Sequence, residues 1–449
     1  MMLASRLKVK YLEFSSGLRK IIANTGWLFA DKILYMSVGL FVGVWVARYL
    51  GPEQYGILNY AIAFVSLFSA LSTLGLDSIV VRDLVKYPER ENEILGSAFL
   101  LKLLGGCLAF VVVVIVFAGL KPEDKLTRLI ITILGLGLIV QSFNTIDLWF
   151  RSQVASKYTV LSQNSSLILA SVAKIIFILK RAVLLAFVIV NLAQILISMI
   201  GLIFFFKKNG KSLIQWRPAY SVAVSLIKKS WPLIFSGLAI AVYLRIDQIM
   251  LGEMIGKKAV GTYAAAVRLS EIWYFIPMAI ASSVFPSIVK SKQLDEKIYK
   301  NRIQKFYDLN AILAYGLSIP VTFFAPLIIH SLYGNAYAGA ETIFAIHIWA
   351  CLFVFLGVAR GQYLINEGLI KFSFFATALG AIVNLGLNFI LIPKYEGVGA
   401  AIATVVSYSV SGYFSSFAYP KAFETGIMQS KAIVSPIRYL VAFRKNVKW

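Results

Sequence analysis

Residues 25–81 read TGWLFADKILYMSVGLFVGVWVARY, then LGPEQYG, then ILNYAIAFVSLFSALSTLGLDSIVV. Two apolar runs flank one short turn, and each is long enough to cross a bilayer core, which needs ~20 mostly apolar residues per helix. The pattern then recurs at 95–119, 128–149, 159–178, 182–206, 231–254, 261–288, 306–331, 341–366, 372–391 and 398–419. Long, continuously apolar runs favour helices over barrel strands, which would be shorter and would alternate. At 449 residues, 59% hydrophobic and a mean hydropathy of +0.78, little chain is left for a water-soluble catalytic domain. The expected fold class is an all-α polytopic membrane protein with about 12 transmembrane helices.

Basic residues orient these spans. With the N-terminus inside, inner segments carry 29 Lys and Arg and outer loops 7, an asymmetry that places both termini in the cytoplasm. The net charge of +23 therefore faces anionic lipid headgroups rather than nucleic acid. The first span is too long for a signal-peptide core and is expected to be a retained anchor. The division expected is a basic N-terminus (1–24), an N-lobe of spans one to six (25–206), an inner loop (207–230), a C-lobe of spans seven to twelve (231–419) and a basic tail (420–449).

The halves echo one another. Gly51-Pro52-Glu53-Gln54-Tyr55-Gly56 follows span one, Gly256-Lys257-Lys258-Ala259-Val260-Gly261 follows span seven, and Gly334-Asn335-Ala336-Tyr337-Ala338-Gly339 follows span nine. Glycine suits the point where a helix stops in a left-handed residue and the chain re-enters. Two six-helix lobes of equal topology around a central cavity suit alternating access about a midplane site. Nothing resembles a selectivity filter.

Three segments resemble a known family. Ala47-Arg48-Tyr49-Leu50-Gly51-Pro52-Glu53-Gln54-Tyr55-Gly56 is similar to the first-turn signature of Wzx-type polysaccharide flippases, members of the multidrug/oligosaccharidyl-lipid/polysaccharide (MOP) exporter superfamily. Arg245-Ile246-Asp247-Gln248-Ile249-Met250-Leu251-Gly252 with Gly261-Thr262-Tyr263-Ala264 resembles that family's seventh span and turn. Asn384-Leu385-Gly386-Leu387-Asn388, Ile392-Pro393 and Gly397-Val398-Gly399-Ala400-Ala401-Ile402-Ala403-Thr404 resemble its eleventh-to-twelfth junction. The resemblance implies a cell-membrane transporter that flips polyprenyl-linked oligosaccharide from the inner to the outer leaflet. Its implied partners are the lipid-linked oligosaccharide, membrane lipids, and the polysaccharide polymerase and glycosyltransferases of the same biosynthesis.

Such a headgroup is anionic, so cations within spans are natural ligands, Arg above all because its planar fork pairs with phosphate. Arg245 and Asp247 lie on span seven, two apart, so each is expected to meet a partner on another helix. Arg268 and Glu271 share a face of span eight, either as a local salt bridge or as a phosphate site with a titrating carboxylate. Asp31 and Lys32 sit about two turns into span one, and Arg48 near its outer end. Lys102, Lys174 and Arg360 lie near span ends, where snorkelling accounts for them. Asp77 and Asp147 are read as caps or loop partners, and His330 and His347 as buried structural residues. Cys107 and Cys351 have neither disulfide nor metal-ligand spacing, and no cofactor is expected.

No Gly-x4-Gly-Lys-[Ser/Thr] loop is present to house ATP. An ion gradient, of H+ or Na+, or downhill consumption outside must set direction, with Asp31, Asp247 and Glu271 as the carboxylates to exchange the ion. A cation-coupled multidrug exporter would favour a carboxylate-dominated cavity. A membrane glycosyltransferase or polymerase would need a larger outer loop than any here, so an enzyme is not expected.

Overall fold

The computed structural model describes residues 16–439, all helical or irregular with no strand among them. The charged segments 1–15 and 440–449 of the expected inner termini lie outside the described residues. Ten of the described helices are long and apolar enough to cross a membrane. Two of them are broken midway. Ser16–Leu67 bends at Gly51 (φ 70°, ψ 170°), and Ile370–Gly412 bends at Glu396 (φ 49°, ψ −127°). Dividing both at their breaks turns ten into the twelve spans expected. The protein is a multi-pass membrane protein. In hydrocarbon every backbone amide must be paired within its own segment, which only the helix achieves for a single crossing.

The break at Gly51 falls where the composition allows it. Gly51 tolerates positive φ without steric cost, and Pro52 then begins the next helix where no amide donor is needed. Gly256 (φ 130°) and Gly334 (φ 77°), the leading glycines of the other two repeats, also take positive φ. The repeat marks one backbone device used three times.

Contacts divide the chain into two compact units. Among the described residues, the first comprises those up to Val46 and Phe64–Leu238, and the second Ala47–Ala63 and those from Ala239 onward. This differs from a division at the 207–230 loop. Tyr220–Met254 is one continuous helix, so the latter part of the expected loop is helical. The family-like turn after span one packs with the second unit.

Within the first unit, Leu76, Leu95, Ile146, Phe150 and Phe206 form a buried cluster. Beside it Glu91 accepts from the Trp149 indole at 2.9 Å and pairs with Lys211 at 2.6 Å. Deeper in the unit, Ser72 donates to the Leu138 carbonyl at 2.7 Å, the small-polar contact that joins helices where lipid removes the hydrophobic drive. One sequence reading fails here: Lys102 does not snorkel, being 2% exposed and bonded to Asp77 at 2.6 Å. Another fails in the second unit, where His330 is exposed, whereas His347 is buried against Ser270 at 3.0 Å.

Within the second unit, Arg360 is likewise buried rather than snorkelling. It donates to Ser415 at 2.7 Å and Ser416 at 3.2 Å, with its guanidinium over the Phe372 ring.

Candidate functional site

The second unit gathers four of the seven candidate residues in one neighbourhood. Asp247 is 5% exposed and accepts three hydrogen bonds from three helical segments. Tyr263 donates to its Oδ2 at 2.7 Å and Thr404 at 2.6 Å, while Asn388 donates to Oδ1 at 2.7 Å. Asn388 also bonds Asn384 Oδ1 at 3.0 Å, and the Thr404 hydroxyl lies 3.0 Å from the Ala400 carbonyl. The break at Glu396 makes this possible, because it folds the arm carrying Asn388 against the arm carrying Thr404. Asp247 therefore meets partners on other helices, as its spacing from Arg245 requires.

The chemistry of the cluster is that of oxygen. A carboxylate, two hydroxyls, two amide oxygens and a backbone carbonyl converge, and the Asn388 Oδ1 has no hydrogen-bond partner. Hard cations take such ligands. No group of three His, Cys, Asp or Glu side chains converges among the described residues, so a cation here would rest on one carboxylate and neutral oxygens.

Around this cluster lie the charged candidates. Glu271 is within electrostatic reach of Arg245, Asp247 and Arg268. It makes no ion pair among the described residues, so the local salt bridge with Arg268 does not form; Arg268 instead donates to the Tyr55 hydroxyl at 3.3 Å. Arg245 is half-buried and makes no hydrogen bond or ion pair among the described residues. The arrangement offers half-buried guanidinium groups beside a buried, hydrogen-bonded carboxylate.

The remaining three candidates are elsewhere. Asp31, in the first unit, is half-buried, with Oδ1 left unpartnered. Its neighbour Lys32 is exposed. Arg48, in the second unit, is also exposed. Sequence reasoning missed Asn384, Asn388 and Thr404 as site residues, although all three lie in the quoted segments. It also read Arg360 as snorkelling, although its isolation in an apolar run was a signal of burial.

Outside the spans, in the first unit, Asp83 pairs with Arg82 at 2.7 Å and Lys229 at 3.0 Å. Burial opposes its ionisation, but the hydrogen bonds and charge of these two partners outweigh it and hold the carboxyl below the usual range.

Known proteins resemble this chain over most of its length. The family model for "Polysaccharide biosynthesis protein" matches residues 21–292, and that for MatE matches 232–390. The "Capsular polysaccharide biosynthesis protein CapF" of Staphylococcus aureus is 21% identical over 90% of this chain and 100% of its own. The "Probable flippase AglR" of Haloferax volcanii is 28% identical over 41% of this chain and 39% of its own. In fold, the chain is similar to the lipid II flippase MurJ, with a TM-score of 0.68 at 16% identity over 94% of this chain and 93% of the other. A multidrug resistance MATE family transporter of the MOP superfamily gives a TM-score of 0.71 at 13% identity over 92% and 96%.

Proposed function

This chain belongs to the polysaccharide biosynthesis protein family, and from that premise we propose that it flips polyprenyl-diphosphate-linked oligosaccharide from the inner to the outer leaflet. The match over residues 21–292, which takes in both the first-turn segment and Arg245 to Glu271, is the observation that carries the reading. The flippase-named relatives and the MOP-superfamily fold support it. Arg245 and Arg268 hold the diphosphate, because guanidinium pairs with phosphate oxygens in a planar fork. The lipid tail stays in hydrocarbon while the headgroup crosses by alternating access. The protein acts as a transporter and performs no covalent chemistry.

Asp247 is the coupling residue. Its oxygen-rich surroundings suit either a proton on the carboxylate or a sodium ion shared with Asn388, Thr404 and the Ala400 carbonyl. Loading and release of that ion, out of register with the substrate, give the cycle its direction. The 29-to-7 basic asymmetry supports cytoplasmic termini in the cell membrane. The polysaccharide polymerase and glycosyltransferases of the same biosynthesis are its partners. A multidrug exporter is the weaker reading, because the MatE match is confined to residues 232–390.

The test is flipping of a labelled lipid-linked oligosaccharide in proteoliposomes, with pH and sodium gradients imposed separately. Flipping that responds to one gradient is expected. Absence of flipping alongside extrusion of cationic drugs would reverse the assignment, and flipping indifferent to both gradients would remove the coupling role.

A further inference from the structure

Within the second unit, four turns converge on one cavity of about 800 Å³. They are the turn after span one (Glu53), that after span seven (Lys257, Lys258), that after span nine and the break between spans eleven and twelve (Lys394, Tyr395, Glu396). Sequence placed all four turns on the same, outer side. The volume lies in the range of small-molecule sites. Neither the Asp247 cluster nor Arg245 and Arg268 line it.

The lining combines both signs of charge. Lys257 is braced over the Tyr60 ring, whose hydroxyl donates to Glu253 at 2.5 Å. Lys258, Lys394, Glu53 and Glu396 make no ion pair with one another or with any other described residue. A cavity that only collected anions would have no use for two carboxylates, and one built for self-neutralisation would pair them. Unpaired ammonium and carboxylate groups around one space suit a ligand that carries an acid and many hydroxyls. Ammonium groups take the acid, carboxylates accept from hydroxyls, and the half-exposed Tyr395 ring offers a face to sugar C–H groups.

Glu396 adds an independent argument. It holds φ 49° and ψ −127°, a backbone state that costs a non-glycine residue on the order of 1–3 kcal/mol. Glycine would relieve that strain, so the carboxylate stands at the rim against a local preference.

We propose that this cavity is an acidic-saccharide site, binding sugars that carry a carboxylate or phosphate. It rests on the glycan-transport reading only for the source of the sugar, which would be the substrate's own glycan; free acidic oligosaccharide is the other source of the same chemistry.

The binding assay needs no transport. Full-length protein in phosphatidylcholine nanodiscs is titrated with cellobiouronic acid, cellobiose and inorganic phosphate. The uronic acid should bind more tightly than either control. Lys258→Ala with Lys394→Ala should weaken it by at least about tenfold, the loss of two charge-assisted contacts, while the protein carrying both Arg245→Ala and Arg268→Ala, neither of which lines the cavity, retains it. Glu396→Gly should weaken sugar binding while leaving thermal stability equal or higher, which a purely structural Glu396 would not do. Equal binding of cellobiose, phosphate bound as tightly as the sugar by the protein carrying Arg245→Ala and Arg268→Ala, or indifference to the lysine and Glu396 variants would overturn the proposal. Competition by purified lipid-linked acidic oligosaccharide assigns the substrate's glycan as the source, and its absence assigns free saccharide. Binding without flipping would defeat only the transport reading, and flipping without binding only this one.

Discussion

Gly56 and Gly261 meet with no space for a side chain on either. A β-carbon at Gly56 would overlap the Lys257 carbonyl oxygen and come within 2.9 Å of the Gly261 amide nitrogen. A β-carbon at Gly261 would overlap the Pro52 carbonyl oxygen and come within 3.0 Å of the Gly56 nitrogen. The two are the closing glycines of corresponding repeats, 205 positions apart in the chain. The leading glycine of each repeat makes the turn; the closing one lets two turns pack backbone to backbone.

Gly56→Ala and Gly261→Ala should each therefore destabilise the protein by about 1–3 kcal/mol, the usual cost of overpacking. Gly316→Ala, on a helix with nothing within 4 Å of the new carbon, should be neutral or stabilising by about 0.5–1 kcal/mol. Thermal unfolding in detergent compares the three. Equal midpoints for all would show that the backbone contact contributes nothing.

Arg245→Ala and Arg268→Ala should abolish glycan export, or lower it by at least about tenfold, while abundance stays near that of the parent. Lys at either position should rescue only in part, because it lacks the planar fork. Surface glycan measured in a flippase-deficient strain tests this. Full export by both Ala variants would remove them as headgroup ligands.

Asp247→Asn should still bind lipid-linked oligosaccharide but lose its response to the ion gradient. Asp31→Asn and Glu271→Gln should keep that response, because neither carboxylate has the ring of oxygen partners that surrounds Asp247. Thr404→Val should weaken the response without removing the charge. Proteoliposome flipping under imposed gradients separates these outcomes, and a gradient-responsive Asp247→Asn would end the assignment.

The Asp83 carboxyl is held below its usual range by Arg82 and Lys229. A depressed carboxylate contributes stability that is fully present above its unfolded pKa, ~3.9, and is lost as pH falls through the lower folded value. Asp83→Asn should cost about 1–2 kcal/mol at pH 7, since the partners are half-exposed and screened. The deficit should close as the pH is taken below 4. A deficit that persists unchanged in acid would show that packing, not charge, is responsible.

Sequence alone determined the helical class, the span number, the turns and the family likeness. These are local properties: a bilayer fixes the length of each apolar run, and a glycine can take positive φ whatever surrounds it. Even the break at Gly51 was written in Gly-Pro, whereas the break at Glu396 fell on a residue that no local preference selects. Which polar groups meet was decided only by tertiary structure. Asp247 finds Asn388 141 positions away and Thr404 157 positions away, and no periodicity along one helix specifies such a partner. The same holds for Lys102 and Arg360. Their places near span ends read as snorkelling, but packing turned them inward, where Asp77 and Ser415 satisfy donors that hydrocarbon would leave unpaired.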